Sequence, residues 1–153
     1  MKKFILFGAV FILLLSSNTV FSCVCFFVSN PTPESIRIER QKDFNRARLI
    51  FSGEVIKLDE FKAEFKIDKI WKGDSVNYIT MLTGTKVNED GTYTSSSCDY
   101  SFELGRKYLI YAYGKLDELK THSCSRSSFL KDAIEEIEGL EKITPHKDVN
   151  KLP

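Results

Sequence analysis

Apolar and charged residues alternate one by one in the segment 61–68. A period of two is typical of a β-strand that buries one face. The preceding segment, 49–58, is rich in Ile, Phe and Val and also predicts a strand, with Gly53 at a bulge or bend. Asp59 and Glu60 separate the two runs, so the pattern predicts a β-hairpin.

Three further segments favour extended structure. The pattern predicts a turn at 71–74, a strand at 76–83 and then a polar loop at 84–97. Both alternating sets of positions are apolar in 106–113, which predicts a central strand covered on both faces. The segment 118–123 predicts a short fifth strand.

A helix is predicted on each side of these strands. Thr32, Pro33 and Glu34 supply a cap, a first-turn proline and an acid, so a helix over 35–48 is expected. After residues 125–128, apolar residues recur at helical spacing and form one stripe: Leu130, Ala133, Ile134, Ile137 and Leu140. We expect this stripe to pack on the strands.

This order of elements predicts a mainly β fold. Five strands in short-range order, a helix before and after, and no βαβ rhythm favour a small five-stranded antiparallel barrel, closed or nearly closed. An open α+β sandwich is the alternative.

The amino end has the pattern of an export signal. Met1, Lys2 and Lys3 are followed by a nearly unbroken apolar run at 4–15, which predicts a signal peptide over 1–22 and cleavage before Cys23. We therefore expect a folded domain over 23–143 and a flexible polar tail over 144–153. No later stretch reaches the roughly 20 apolar residues that a membrane helix needs.

The charge of the expected mature chain is nearly balanced. Loss of Lys2 and Lys3 leaves 20 basic against 21 acidic residues, a formal charge of −1. Nucleic acids and anionic membranes usually require a concentrated basic patch, so neither is an expected partner.

All four cysteines lie in the exported part. An even count in an oxidising compartment favours two disulfides, and four cysteines allow three pairings. A bridge from Cys23 to Cys25 would close a very tight ring. Each of these two is therefore expected to reach either Cys98 or Cys124, and two pairings remain open.

The sequence does not carry the pattern of an enzyme or of a cofactor site. His122 and His146 are isolated and the cysteine spacings are not those of zinc sites, so no metal or other cofactor is expected. His122 stands beside Ser123 and Cys124, but a disulfide-bonded cysteine is not a nucleophile. We therefore expect a protein without catalytic activity.

Six short motifs occur in order along the exported part: Cys23-Val24-Cys25, Ile50-Phe51-Ser52-Gly53-Glu54-Val55, Trp71-Lys72-Gly73, Ser97-Cys98-Asp99-Tyr100, Gly105-Arg106-Lys107-Tyr108-Leu109 and Ser123-Cys124-Ser125-Arg126. Together they resemble the tissue inhibitors of metalloproteinases (TIMPs), a branch of the netrin-like modules, over residues 23 to about 140. The resemblance implies an OB-fold, with Cys23 joined to Cys98 and Cys25 to Cys124.

The resemblance also implies a function, inhibition of a zinc metalloprotease. The α-amino nitrogen and carbonyl oxygen of Cys23 would chelate the protease's catalytic zinc, and Val24 would enter its primary specificity pocket. Ser96 and Ser97, tied alongside by Cys98, would form the second edge of the protease-binding surface, which also includes Cys25. This chain lacks the third disulfide that animal members carry in this domain.

A lipoprotein is the alternative from a different class. The segment 20–23 partly resembles a bacterial lipobox, with Phe21 where a small residue is usual. A lipidated Cys23 would be a thioether and would form neither a disulfide nor a zinc chelate. The chain would then be an envelope lipoprotein or extracellular binding module, and only in this form would a membrane be a partner. Either way we expect a secreted or cell-envelope protein.

Overall fold

The computed structural model describes residues 23–25 and 29–144 of the 153-residue chain. The predicted signal peptide and residues 145–153 of the predicted tail lie outside the described residues. The elements are, in chain order, α1 (Pro33–Arg46), β1 (Leu49–Leu58), β2 (Lys62–Lys72), β3 (Tyr78–Leu82), β4 (Lys86–Val87), β5 (Tyr93–Thr94), β6 (Lys107–Ala112), β7 (Ser128–Phe129), a 3-10 turn (Leu130–Asp132) and α2 (Ile134–Ile143).

Five of the strands form one antiparallel sheet in the order β3-β2-β1-β6-β7. The prediction of a mainly β fold with five antiparallel strands and a helix on each side is therefore confirmed at this level. The predicted polar loop at 84–97 contains a second small sheet, in which β4 pairs with β5.

The predicted hairpin of β1 and β2 is confirmed. The Asp59 backbone N–H donates to the carbonyl of Lys62 at 2.9 Å, and the Asp59 carboxylate accepts from the backbone N–H groups of Phe61 and Lys62 at 2.8 and 2.7 Å. The register of β1 against β2 shifts directly before Gly53. A Cβ at Gly53 would lie 2.6 Å from the carbonyl oxygen of Lys66, so this close approach requires glycine.

The core has two parts, one on each face of the sheet. Phe51, Phe65 and Tyr108 belong to the first part, while Ile50, Leu109 and Tyr111 belong to the second. Every residue from Tyr108 to Ala112 is buried, so the prediction that β6 is covered on both faces is confirmed.

The cap and first turn predicted for the first helix are confirmed. The predicted helix ends at residue 48, two residues beyond the observed end at Arg46. Thr32 caps α1 and its side chain accepts from the backbone N–H of Ser35 at 3.1 Å, with Pro33 in the first turn. The helix stops at Arg46 because Ala47 is extended and the N–H of Arg48 donates to the carbonyl of Ala112 at 2.8 Å.

The second helix differs from the predicted stripe at one position. Ala133 and Leu140 are buried, and Leu130 and Ile137 pack against the second part of the core. Ile134 is 64% exposed, so its place in the stripe is wrong. The reason is that, at about 100° per residue, Ile134 lies about 120° around the axis of α2 from the buried Leu140 and so falls outside the buried face.

The prediction of a fifth strand at 118–123 is wrong, because this segment forms only isolated β-bridges. Lys120 exchanges two backbone hydrogen bonds with Tyr113, at 2.8 and 3.0 Å, and the N–H of Leu82 donates to the carbonyl of Leu119 at 2.7 Å. The fifth strand of the sheet is instead β7, which pairs with β6. These three bonds join residues 119–120 to β3 and to Tyr113, the residue after β6, but they do not extend into a ladder.

No residue of α1 is fully buried, and polar contacts attach this helix to the domain together with Phe44, which packs against the second part of the core. Arg40 donates to Glu136 at 3.0 Å, and Arg126 donates to Asp43 at 2.7 Å and to Glu136 at 3.1 Å. The Tyr111 hydroxyl donates to the same Glu136 carboxylate at 2.6 Å. A network of half-buried charges thus joins α1, α2, β6 and the segment after Cys124.

Candidate functional site

Two disulfides hold the chain at residues 23–25. Cys23 is joined to Cys98 and Cys25 to Cys124, with Cα–Cα distances of 5.0 and 5.3 Å that lie within the usual range for disulfides. This is the pairing that the TIMP resemblance implies. The two bridges are also in contact, because the Sγ atoms of Cys23 and Cys124 are 3.6 Å apart.

The backbone places the two distant cysteines side by side. The N–H of Ser123 donates to the carbonyl of Cys98 at 2.9 Å, and Asp99 and His122 form an isolated β-bridge. The Ser123 hydroxyl in turn donates to Cys23 Sγ at 3.6 Å. Residues 98–99 and 122–124 therefore form the support on which Cys23 and Cys25 are fixed.

Ser96 lies in a turn that Asp99 closes. The N–H of Asp99 donates to the carbonyl of Ser96 at 2.9 Å, and the Asp99 carboxylate accepts from the Ser96 N–H at 2.6 Å. The Ser96 hydroxyl accepts from the N–H of Cys98 at 3.1 Å. Ser96 and Ser97 are both exposed on this turn. They lie two residues and one residue before Cys98, which is bridged to Cys23.

Gly84 packs against the side chain of Asp99, which closes this turn. Its φ is +96°, a conformation that favours glycine, and a Cβ there would overlap the carboxylate of Asp99. Neither Gly84, Asp99 nor Ser123 was identified as a site residue from the sequence. Asp99 and Ser123 stand in two of the motifs that carry the TIMP resemblance, but their role could not be identified there because it depends on contacts between distant segments.

Val24 is 71% exposed although both neighbours are fixed by disulfides. It belongs to neither part of the core. An apolar side chain on a short, doubly anchored segment has its surface available to a partner and loses little conformational freedom on binding. The structure thus brings together the bridged Cys23 and Cys25, the exposed Val24 and the Ser96 turn.

Two clefts flank this region. One, of about 310 Å³, is lined by polar side chains of the β1–β2 turn and of the Ser96 turn, among them Asp59, Glu60 and Asp99. The other, of about 200 Å³, is lined by Asp43, Arg46, Tyr113, His122 and Cys124.

The second cleft contains a stacked aromatic pair. The rings of Tyr113 and His122 have centroids 5.4 Å apart and planes 26° from parallel. Burial raises the pKa of Tyr113 to about 12; Asp43 adds to this effect, and Arg46 and Arg126 oppose it. His122, singled out in the sequence, is thus part of the wall beside the Cys25–Cys124 bridge.

Among the described residues, Cys23, Cys25 and Cys124 form a group of possible metal ligands whose sulfurs lie within 4.8 Å of one another. All three sulfurs are in disulfide bonds. A metal requires the thiolate, so the oxidised chain does not present this group as a ligand set.

No protein-family model and no curated protein matches the chain. Among the residues that the structure describes, no helix is long and apolar enough to cross a membrane. Two disulfides are typical of a protein that folds outside the reducing cytoplasm.

Proposed function

We propose that this chain is an exported TIMP-like inhibitor of zinc metalloproteases, and that its OB-fold-like domain presents Cys23 to the zinc of the target. The observation that carries the proposal is the exposed Val24 between two cysteines that are each bridged to the domain. A terminus held in this way approaches a protease as a rigid wedge, because both disulfides remove its freedom to move.

The chemistry at Cys23 depends on removal of the signal peptide directly before it. A new α-amino group has a pKa near 7.7 to 8.0, so a substantial fraction is neutral near pH 7 and offers a lone pair. This nitrogen and the carbonyl oxygen of Cys23 close a five-membered ring on a zinc ion. Catalytic zinc sites keep one open position for water or substrate, and the chelate would displace that water.

Neighbouring residues provide the contacts that select the target. Val24 enters the primary specificity pocket of the protease, where its apolar surface is removed from water. Ser96 and Ser97 form the second edge, supported by the hydrogen bonds of Asp99 to Ser96. The bonds of Leu119 and Lys120 to the ends of β3 and β6 support closure of the sheet into an OB-type barrel.

The test compares three forms of the folded domain: one beginning with a free Cys23, one with an alanine added before Cys23, and one acetylated at the α-amine. Inhibition constants are measured against a panel of zinc metalloproteases. We expect inhibition by the free form and its loss in the other two, because an amide nitrogen has no available lone pair. Loss of both metal contacts should weaken the free energy of binding by about 4 kcal/mol or more, which is at least about a thousandfold in affinity.

Two outcomes would count against the proposal. Equal inhibition by all three forms would contradict chelation by the amine, and no inhibition by the free form would favour a binding module without a protease target. An intact mass of the exported protein separates the lipoprotein alternative from both. The Cys23–Cys98 bridge supports the unlipidated form, because a thioether sulfur cannot form it.

A further inference from the structure

We propose that the two disulfides at residues 23–25 exchange partners, so that the domain has a second covalent form in which Cys23 is joined to Cys124 and Cys25 to Cys98. The observation that carries this is the contact between the two bridges. Cys23 Sγ and Cys124 Sγ belong to different disulfides, yet they are 3.6 Å apart. Cys25 Sγ, which is bonded to Cys124 Sγ, lies within 4.8 Å of Cys23 Sγ.

Chain entropy does not favour either form. The observed bridges span 75 and 99 residue steps. The exchanged bridges span 101 steps from Cys23 to Cys124 and 98 − 25 = 73 steps from Cys25 to Cys98. The entropy of the unfolded chain depends on the logarithm of these lengths, and the two sets are nearly equal. The balance is therefore set by the folded geometry around residues 23–25.

The exchange needs a thiol of the low-molecular-weight glutathione class. Its thiolate attacks Cys98 Sγ, the Cys23–Cys98 bond breaks, and Cys23 leaves as a thiolate. Cys23 then attacks Cys124 Sγ, which forms the Cys23–Cys124 bond and releases Cys25 as a thiolate. Cys25 attacks Cys98 Sγ in the mixed disulfide, forms Cys25–Cys98 and regenerates the external thiolate. No net oxidation or reduction occurs, so the thiol acts as a catalyst.

The bridges are open to such a reagent. Cys23, Cys25, Cys98 and Cys124 are all only partly buried, and none belongs to either part of the core. The Ser123 hydroxyl donates to Cys23 Sγ at 3.6 Å, a contact that would stabilise a Cys23 thiolate during the exchange.

A consequence for inhibition follows, and it rests on the proposed function. In the exchanged form Cys23 is no longer tied to Cys98, so it leaves the edge formed by Ser96 and Ser97. The chelating geometry at Cys23 would then be lost in the exchanged molecules, so inhibition should fall in proportion to the exchanged fraction once a thiol has equilibrated the two forms.

The first experiment isolates the central step in a variant with one free thiol. In Cys98→Ser, Cys23 has no partner and faces the intact Cys25–Cys124 bridge. A second variant, Cys124→Ser, isolates the last step, because its one free thiol is on Cys25 and its Cys23–Cys98 bridge is intact. Both folded proteins are labelled with iodoacetamide and digested, and fragment ions between Cys23 and Cys25 show which cysteine carries the label.

We expect the label in Cys98→Ser to be shared between Cys23 and Cys25, with about one part in ten or more on Cys25 if the two forms differ by no more than about 1.4 kcal/mol. In Cys124→Ser the label should likewise be shared, between Cys25 and Cys23, because attack of Cys25 on Cys98 forms the proposed Cys25–Cys98 bond. Label on Cys23 alone in folded Cys98→Ser would overturn the proposal, as would label on Cys25 alone in folded Cys124→Ser.

A second measurement uses the unaltered domain, and it decides the question if Cys98→Ser does not fold. The protein is incubated with a substoichiometric amount of reduced glutathione, quenched with iodoacetamide and mapped without reduction. The Cys23–Cys124 bridge should appear, and its absence after prolonged incubation would overturn the proposal. Inhibition measured on the same samples separates the two ideas, because exchange without loss of inhibition contradicts the chelation geometry and leaves the exchange intact.

Discussion

At the scale of single residues, the proposed site depends on side chains that contribute little to the core. Val24 is 71% exposed, and the Ser96 turn is held by one carboxylate, that of Asp99. Substitutions here should therefore separate binding from folding. This separation is the property that a binding surface has and a core position lacks.

Val24→Gly tests this separation directly. An exposed substitution usually changes the free energy of unfolding by no more than about 0.5 kcal/mol. Loss of a valine side chain buried in a protease pocket would cost about 1.5 kcal/mol or more, which is at least tenfold in the inhibition constant. Val76→Gly is the control, since Val76 is also exposed but lies in the connection between β2 and β3. Unfolding of the Val24→Gly domain would mean that Val24 supports the core.

Gly84→Ala tests the support beneath the Ser96 turn, and Gly91→Ala is its matched control. Both glycines have positive φ, +96° and +80°, so alanine costs about 1–2 kcal/mol of backbone strain at either position. Only at Gly84 does the new Cβ overlap a neighbour, the carboxylate of Asp99, whereas at Gly91 there is no atom within 4 Å. Urea unfolding should show a larger loss for Gly84→Ala, and inhibition should weaken more.

The comparison between the two variants is what decides this prediction. Equal losses of stability and inhibition would show that Asp99 moves aside at no cost. The Ser96 turn would then not depend on the contact between Gly84 and Asp99.

At the scale of elements, α1 is attached by partly buried charges together with the packing of Phe44 against the second part of the core. The carboxylate of Glu136 in α2 accepts from Arg40, Arg126 and the Tyr111 hydroxyl, and its side chain is only 15% exposed. Removing one partner of a partly buried ion pair leaves the other charge without its counter-charge. Substitution of Glu136 should therefore weaken the attachment of α1 and lower the free energy of unfolding.

We expect Glu136→Ala to lower the free energy of unfolding by about 1.5–3 kcal/mol, the usual contribution of hydrogen bonds to charged groups, because the side chains of this network are 13–24% exposed rather than fully buried. Glu136→Gln keeps the shape and some hydrogen bonds, so its loss should be smaller. Glu34→Ala is the control, because its pair with Arg37 is exposed and should contribute little. Urea unfolding of the three variants is the measurement. A small effect of Glu136→Ala would show that α1 packs independently of this network.

Several elements could be predicted from the sequence because their signals are local. The alternation in 61–68 and the polar residues at Asp59 and Glu60 lie within one hairpin, and the structure has β1 and β2 there. The two-residue strand β7 could not be predicted, since it depends on pairing with β6 about twenty residues away. Ile134 was misplaced because it lies about 120° around the axis of α2 from the buried Leu140, outside the buried face.

At the scale of the whole molecule, the sequence limits the disulfide pairing without choosing it. The tight ring excludes Cys23–Cys25, and only the TIMP resemblance distinguishes the remaining two pairings. The contact of Cys23 with Cys124 and the two clefts could not be predicted from the sequence, because each depends on segments more than twenty residues apart in the chain.

Buried tyrosines also make the stability of the whole domain sensitive to alkali. Burial raises the pKa of Tyr100 to about 12, with Tyr108 adding to the effect, and it raises that of Tyr113 to about 12. Burial, and next the hydrogen bond to Glu136, also raise the pKa of Tyr111. An unfolded tyrosine has a pKa near 10, so the unfolded state loses its phenolic protons at lower pH than the folded state does.

The sign of the pH dependence follows from these raised values. Below about pH 10 both states hold the phenolic protons and the stabilisation is fully present. Between about pH 10 and 12 the unfolded chain binds fewer protons than the folded chain, so the free energy of unfolding falls as the pH rises. Urea unfolding at about pH 9 and about pH 11.5 should therefore show a marked loss.

Tyr113→Phe should reduce this alkaline loss, because it removes one of the buried phenols that resist ionisation. Tyr93→Phe is the matched control, since Tyr93 is 60% exposed in β5, and it should leave the loss as large as in the unaltered domain. The measured quantity is the difference in the free energy of unfolding between the two pH values for each protein. An identical difference in Tyr113→Phe and in the unaltered domain would show that Tyr113 ionises without unfolding the domain, and the cleft beside the Cys25–Cys124 bridge would then admit water to its ring.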